Sequence, residues 1–286
     1  MADTPARKLG RSYLLAVDDK EFLLRDEMRA SRFGMEYLKA ELALRDWGVR
    51  STIVVFGSAR ISDPETAERA LRAARTPQAK RIAKQRLDSA QHYEMARAFA
   101  RIASLRGGAL AGSGGPRDNV IATGGGPGIM AAANRGAAEV GAPSIGFNIT
   151  LPHEQDPNAW STPALTFRFH YFAMRKMHLA MRASALVVFP GGFGTLDELF
   201  EILTLRQTDK APRIPIVLFD EAYWRSVVNF DSLVEHGMIN AADLELFRFA
   251  ENAETVWSSL LACGLKPGES IELEPEQAPP TEPPTP

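Results

Sequence analysis

What the chain has little of narrows it first. A single cysteine, Cys263, among 286 residues excludes an internal disulfide and cannot alone build a zinc site, which suits a reducing compartment and leaves packing as its role. Neither sign of charge dominates: 33 basic against 35 acidic side chains leave a formal charge of -2, a balance that calls for neither nucleic acid nor an anionic membrane surface as partner. No apolar run reaches membrane-spanning length, and residues 1–11 lack the basic stretch followed by an apolar one that marks a secretory signal. No repeat of 20 to 50 residues is visible. Together these absences predict a cytoplasmic protein that handles a small molecule.

What is there is an alternation of strand and helix. Residues 18–47 spread Phe22, Leu23, Met28, Met35, Leu38 and Leu42 among charges without a breaker, so they read as helical, with Gly48 as the stop. The run from Ser51 to Phe56 is β-branched and of strand length, and it enters the small-residue loop Gly57-Ser58-Ala59-Arg60. Asp63-Pro64 and Thr76-Pro77 each place a capping side chain before a first-turn proline and so start helices. The stretch between, rich in Arg, Lys, Glu and Ala, reads as a solvated helix face. Further strands are expected at 119–123, 144–148, 166–172, 185–189 and 214–219. Helices are expected at 129–140, 174–182 and 196–208, and around 223–235 and 253–261. The pattern predicts an α/β fold, a Rossmann-like doubly wound parallel sheet of about seven strands with helices on both faces. It divides the chain into an N-terminal helical extension (1–50), a nucleotide-binding catalytic domain (51–264) and a tail (265–286). That tail is dense in Pro and Glu from Glu269 onward and too poor in apolar residues to order itself.

Two glycine-rich turns sit between a strand and a helix. In the first, Val120 to Met130, Gly124, Gly125, Gly126 and Gly128 let the backbone bend and let a ligand approach without a Cβ in the way. In the second, Val187 to Glu198, Gly191, Gly192 and Gly194 do the same ahead of Thr195. Free amides and the positive end of a helix make an anion site, and two such turns at the carboxyl ends of parallel strands converge on one cleft. Gly57 and Ser58, ending the first strand, line the same edge, although Ser58 could equally cap its own turn.

The missing motifs then limit the ligand. Neither turn keeps G-x-G-x-x-G in register, because the last position falls on Ile129 or Asp197, which disfavours a dinucleotide. Neither is followed by G-K-[ST], which disfavours a triphosphate. His153-Glu154, His170 and His178 have no ligand cluster beside them, so no metal is expected. A nucleoside monophosphate held by its 5'-phosphate fits best. Two readings stay open for Glu198 from the residues alone: Thr195-x-x-Glu198 is a capping box, or Glu198 is a site carboxylate. Arg175 sits on a helix whose Met174, Met177 and Met181 form an apolar stripe, with Arg175, His178 and Arg182 on another side. It is either a phosphate or ribose clamp or a surface ion pair. Lys176 is a weaker binding candidate, and Asp197 and Glu201 read as solvated charges.

At these residues the sequence resembles the phosphoribohydrolases of the Lonely Guy type and their bacterial nucleotide-nucleosidase relatives. Pro190-Gly191-Gly192-Phe193-Gly194-Thr195-Leu196-Asp197-Glu198 looks like the family pattern P-G-G-x-G-T-x-x-E. Arg175-Lys176 stands at the family's spacing before it, and Gly124-Gly125-Gly126 is similar to the family's first turn, with Pro127-Gly128 a departure. The resemblance runs over about residues 52–261. It implies a modified Rossmann fold, a homodimer or higher homo-oligomer, and no cofactor. It also implies hydrolysis of the N-glycosidic bond of a nucleoside 5'-monophosphate, of AMP or cytokinin ribotide type, with Glu198 and Arg175 catalytic. Members have also carried a lysine decarboxylase label, for which the only support is that Lys176 is a lysine. The alternative is a non-catalytic nucleotide sensor or carrier using the same turns.

Overall fold

The β-branched run after Ser51 forms β1 (Thr52–Phe56), every residue of which is buried, at the centre of the molecule. The structure, a computed structural model, describes residues 11–110, 115–151, 156–211 and 213–268. Residues 111–114, His153-Glu154 and the tail from Glu269 lie outside these residues. Ahead of β1 come a short helix α1 (Lys20–Leu24) and α2 (Arg29–Asp46), and after it α3 (Pro64–Ala73) and the 30-residue α4 (Pro77–Arg106). The series continues with β2 (Val120–Thr123), α5 (Ile129–Ala138), β3 (Ser144–Ile149), β4 (Thr166–Phe169), α6 (Phe172–Met181) and β5 (Ala183–Val188). It ends with α7 (Phe193–Gln207), β6 (Ile216–Phe219), α8 (Glu221–Val227), α9 (Phe230–Glu235), β7 (Arg248–Ala250) and α10 (Ala253–Ala262).

All seven strands pair in parallel in the order β4-β3-β2-β1-β5-β6-β7. The chain leaves β1 toward β2 and leaves β5 toward β6, in opposite directions. Right-handed crossovers therefore send α4 and α7 to opposite faces. On one face α4 packs with α5 and α10, and on the other α2 packs on α6. The adjacent carboxyl ends of β1 and β5 are the topological switch point, where open α/β sheets form their ligand crevice.

The two Asp/Thr-Pro starts behave as expected: the Asp63 and Thr76 side chains accept from Thr66 N and Ala79 N at the heads of α3 and α4. Gly48, at φ 69°, ends the N-terminal helix as predicted. That helix is split, because the chain is extended at Arg25 between α1 and the 3₁₀ turn Asp26–Met28. It is also no mere appendage. Ala40, Leu44 and Trp47 are buried in the common core, and a leucine buried like Leu44 contributes about 1.5–3 kcal/mol.

The far end needs a correction as well. Leu265 is buried, Lys266 O accepts from Asn119 Nδ2 at 2.9 Å and Gly268 N donates to Gly107 O at 2.8 Å. Residues 265–268 thus belong to the body and not to the tail. The three-residue β7 went unforeseen, being too short to show a period. Among the described residues no helix is long and apolar enough to cross a membrane.

Candidate active site

A cleft of about 960 Å³ opens at the switch point. Gly57 and Ser58 form its floor after β1, and Pro190 to Thr195 form one side after β5. The two loops are joined edge to edge, since Ser58 N donates to Pro190 O at 2.9 Å and Phe189 N donates to Phe56 O at 2.8 Å.

The two glycine turns differ in what they face. The first is filled by the protein's own groups. A Cβ on Gly125 would lie 2.3 Å from the Asn148 side chain, on Gly128 2.3 Å from Ser58 O, and on Gly124 or Gly126 2.9 Å from Met130. Several of its polar groups are used as well. Gly125 N donates to Thr123 Oγ1, Gly125 O and Gly126 O accept from Asn158, and Ile129 N donates to Ser58 O. Asn134, fully buried, ties this turn to Thr123, Ser144 and Asn158. Of the four first-turn candidates only Gly124 lines the cleft, whereas the sequence reading has all four cradle the phosphate.

In the second turn a Cβ on Gly192 or Gly194 would meet nothing within 4 Å. Gly191 instead gives room to Thr195, whose Oγ1 would lie 2.1 Å from an added Cβ. The carbonyls point into the protein: Gly191 O accepts from Tyr223 Oη at 2.6 Å, and Gly192 O from Thr195 N and Leu196 N. Phe193 and Gly194, as the first residues of α7, have amides with no intrahelical acceptor. This is a nest of backbone donors at the head of a 15-residue helix, a geometry suited to an anion.

Arg175 reaches the cleft from the first turns of α6, and its Nη2 donates to Glu198 Oε1 at 3.1 Å. Its guanidinium also lies 5.1 Å from the centroid of Phe172, while its Nε is buried with no partner. The Glu198 carboxylate is 3% exposed and lies behind Arg175, beneath the cleft wall. Desolvation pushes its pKa above the ordinary 4.5, against the opposing pull of Arg175 and Lys176. The capping-box reading of Glu198 fails. The N-cap of α7 is Gly192 with no side-chain cap, so Thr195 is already the third helical residue and Glu198 sits in the second turn, not the first.

Lys176 does not face the cleft. Its Nζ bridges Asp197 at 2.8 Å and Glu201 at 3.0 Å on the outer side of α7, which corrects both its assignment to phosphate and the reading of those acids as merely solvated. Although partial burial works against the charge, the two carboxylates hold the Lys176 pKa above 10.5. A Schiff-base lysine needs a desolvated, readily neutral amine, so Lys176 does not fit a pyridoxal phosphate site. The stripe on α6 is rotated from expectation too: Met181 is 46% exposed, whereas His178 is 1% exposed and stacks on Tyr37 and Phe147.

Sequence reasoning missed three groups. The first half of α4, to which no site role was given, supplies a cleft wall that includes Gln85, Arg86 and His92. His92 Nε2 meets Asp220 Oδ2 at 2.9 Å, and Asp220, in the left-handed region at φ 71°, caps α8 and so places Tyr223 under the second turn. The α2 helix grips α6: Glu36 accepts from His170 N and Tyr171 N at the head of α6, and Glu41 pairs with Arg182 at its end. These pairs join residues more than a hundred positions apart, and no local pattern announces them. The left-handed Asp220 is the one such feature a local signal touches, since Asp tolerates that region better than most residues. Among the described residues, no group of three or more His, Cys, Asp or Glu gathers to hold a metal ion.

The family described as possible lysine decarboxylase matches residues 130–260. The chain is 34% identical over 87 residues to the probable cytokinin riboside 5'-monophosphate phosphoribohydrolase LOG4 of Oryza sativa subsp. japonica, a match covering 30% of this chain and 38% of that one. It is 25% identical over 149 residues to cytokinin riboside 5'-monophosphate phosphoribohydrolase LOG5 of Arabidopsis thaliana, covering 51% of this chain and 64% of that one. The aligned stretches thus span 38 to 64% of these relatives' lengths. Among solved structures, the molybdenum cofactor binding protein from Rippkaea orientalis matches with a TM-score of 0.44 at 16% identity, covering 74% of this chain and 96% of that chain. Residues 130–260, the stretch that matches the possible lysine decarboxylase family, carry Arg175, the second glycine turn and Glu198.

Proposed function

We propose that the protein hydrolyses the N-glycosidic bond of a nucleoside 5'-monophosphate, of AMP or cytokinin ribotide type, to free base and ribose 5-phosphate. The observation that carries this reading is the Arg175–Glu198 pair beside an unfilled glycine nest. A pure carrier needs the nest and a positive charge, but it has no use for a buried carboxylate held against its ionised form. The names of the curated relatives point the same way.

In this account the 5'-phosphate sits on the amides at the head of α7, with Thr195 beside it. The phosphate and ribose draw on the Arg175 guanidinium, whose Nε is already without a partner. As Arg175 turns to the ligand, Glu198 is freed toward C1'. Cleavage passes through an oxocarbenium-like state, which a carboxylate stabilises while it orients and deprotonates the attacking water. The C1'–N bond breaks, the water oxygen bonds to C1', and the base leaves with the proton. Gly57, Ser58 and Gly124 line the same cleft as the remaining binding candidates.

The homo-oligomer is likewise a proposal, supported by Phe193, 92% exposed at the mouth of the cleft, and sedimentation of the full chain tests it. The domain division, with the corrected end at 268, belongs to the same reading.

Incubation with AMP, other nucleoside monophosphates and N6-isopentenyl AMP, followed by chromatography of free base, tests the function. Base release by the wild type, reduced at least ~100-fold in Glu198→Gln as expected for loss of a general base, supports it. Binding of AMP without base release would favour the sensor.

A further inference from the structure

The cleft carries charge that one phosphate on the α7 nest leaves unmatched. Arg60, after β1, and Arg86, on α4, line it together with Arg175 and His92, and among the described lining residues there is no aspartate or glutamate. Two of these four already have carboxylate partners just outside the cavity, Glu198 for Arg175 and Asp220 for His92. Among the described residues, Arg60 and Arg86 form no side-chain ion pair or hydrogen bond. In a protein whose net charge is -2, an acid-free cavity with two unmatched guanidiniums is selective for anions.

Position and size add to this. Because α4 and α7 lie on opposite faces of the sheet, Arg86 stands on the wall across the cleft from the nest. The volume of about 960 Å³ is at the upper end of the roughly 300–1,000 Å³ of small-molecule sites, so the cleft has room beyond a nucleoside monophosphate. Both arginines precede residue 130, where the family match begins.

We propose that Arg60 and Arg86 form a second anion subsite, and that the preferred ligand is a nucleotide bearing a second phosphoryl group besides the one on the α7 nest. This rests on the reading of the cleft as a nucleotide site and names its ligand class. The second group can extend from the first, as in a 5'-diphosphate, or branch from the ribose, as in a 3',5'-bisphosphate. Guanidinium forks suit either.

Calorimetric titration of AMP, ADP and adenosine 3',5'-bisphosphate at one fixed low ionic strength tests the proposal, with wild type beside the double variant Arg60→Gln/Arg86→Gln. Either doubly phosphorylated ligand should bind the wild type about tenfold more tightly than AMP, the size expected of two partly exposed charge pairs. The preference should shrink with added salt and fall to about one in the double variant, and whichever ligand shows it identifies the arrangement. Equal binding of all three, or a preference that survives the double substitution, would overturn the subsite while leaving the nucleotide reading in place. If AMP neither binds nor loses its base, the nucleotide reading itself falls, and the subsite with it. Melting curves of the double variant check that it is folded, which the exposure of both side chains leads us to expect.

Discussion

The two glycine turns look alike as strings of residues and behave as opposites in space. In the first, the missing side chains are replaced by Asn148, Met130 and the Ser58 backbone, the Gly125 amide donates to Thr123, and the Gly125 and Gly126 carbonyls accept from Asn158. In the second, Gly192 and Gly194 border open space and the carbonyls are drawn inward by Tyr223 and the first turn of α7. Glycine in the first turn lets the protein approach itself, and in the second it lets a ligand approach the protein. A glycine-rich string alone does not distinguish these uses. What distinguishes them is whether a neighbouring element has already taken the space.

Three substitutions sharpen the contrast, from the largest expected effect to the smallest. Gly128→Ala should strike the fold: at φ 72° with Ser58 O 2.3 Å from the new Cβ, it combines backbone strain with overpacking and should cost about 3 kcal/mol or more in denaturant unfolding. Gly192→Val should do the reverse. Its backbone, at φ -95°, is open to any residue, so stability should change by less than about 1 kcal/mol while AMP affinity drops roughly tenfold or more through the blocked amides. A Gly192→Val protein that binds AMP as the wild type does would place the phosphate elsewhere. Tyr223→Phe removes the 2.6 Å hydrogen bond to Gly191 O. It should lower stability by about 1 kcal/mol and raise KM more than it lowers kcat.

The same contrast explains what was legible in the sequence. Periodicity and punctuation located the strands, because β1, β2 and most of β5 are continuous buried apolar runs and because Asp63-Pro64, Thr76-Pro77 and Gly48 act locally. The parallel sheet led to the expectation that both glycine turns converge on one cleft, where the structure places the second turn and Gly124, while Arg175 was left open between clamp and surface ion pair. Glu198 was identified as a residue, but its setting was not: the second-turn position and the burial behind Arg175 depend on where α7 begins. The α4 wall, the Tyr223 prop and the grip of Glu36 and Glu41 on α6 arise from packing between distant segments. No window of sequence holds both partners of any of these pairs. The rotated face of α6 shows the same limit, since His178 is buried by an N-terminal helix that local pattern could not place.

The most direct test of the central claim, that Glu198 reacts as a carboxylate held behind Arg175, is the pH profile of AMP hydrolysis by the wild type beside Glu198→Gln. Burial raises the Glu198 pKa above 4.5, so the native state holds its proton more tightly than the unfolded chain does. Stability associated with this group should therefore fall as pH rises through that raised value, whereas activity that needs the carboxylate should appear over the same interval. The account predicts an acid limb in kcat/KM that lies above the ordinary glutamate range and is absent from the residual rate of the variant. A variant that hydrolyses AMP at the wild-type rate, with the limb intact, would contradict it.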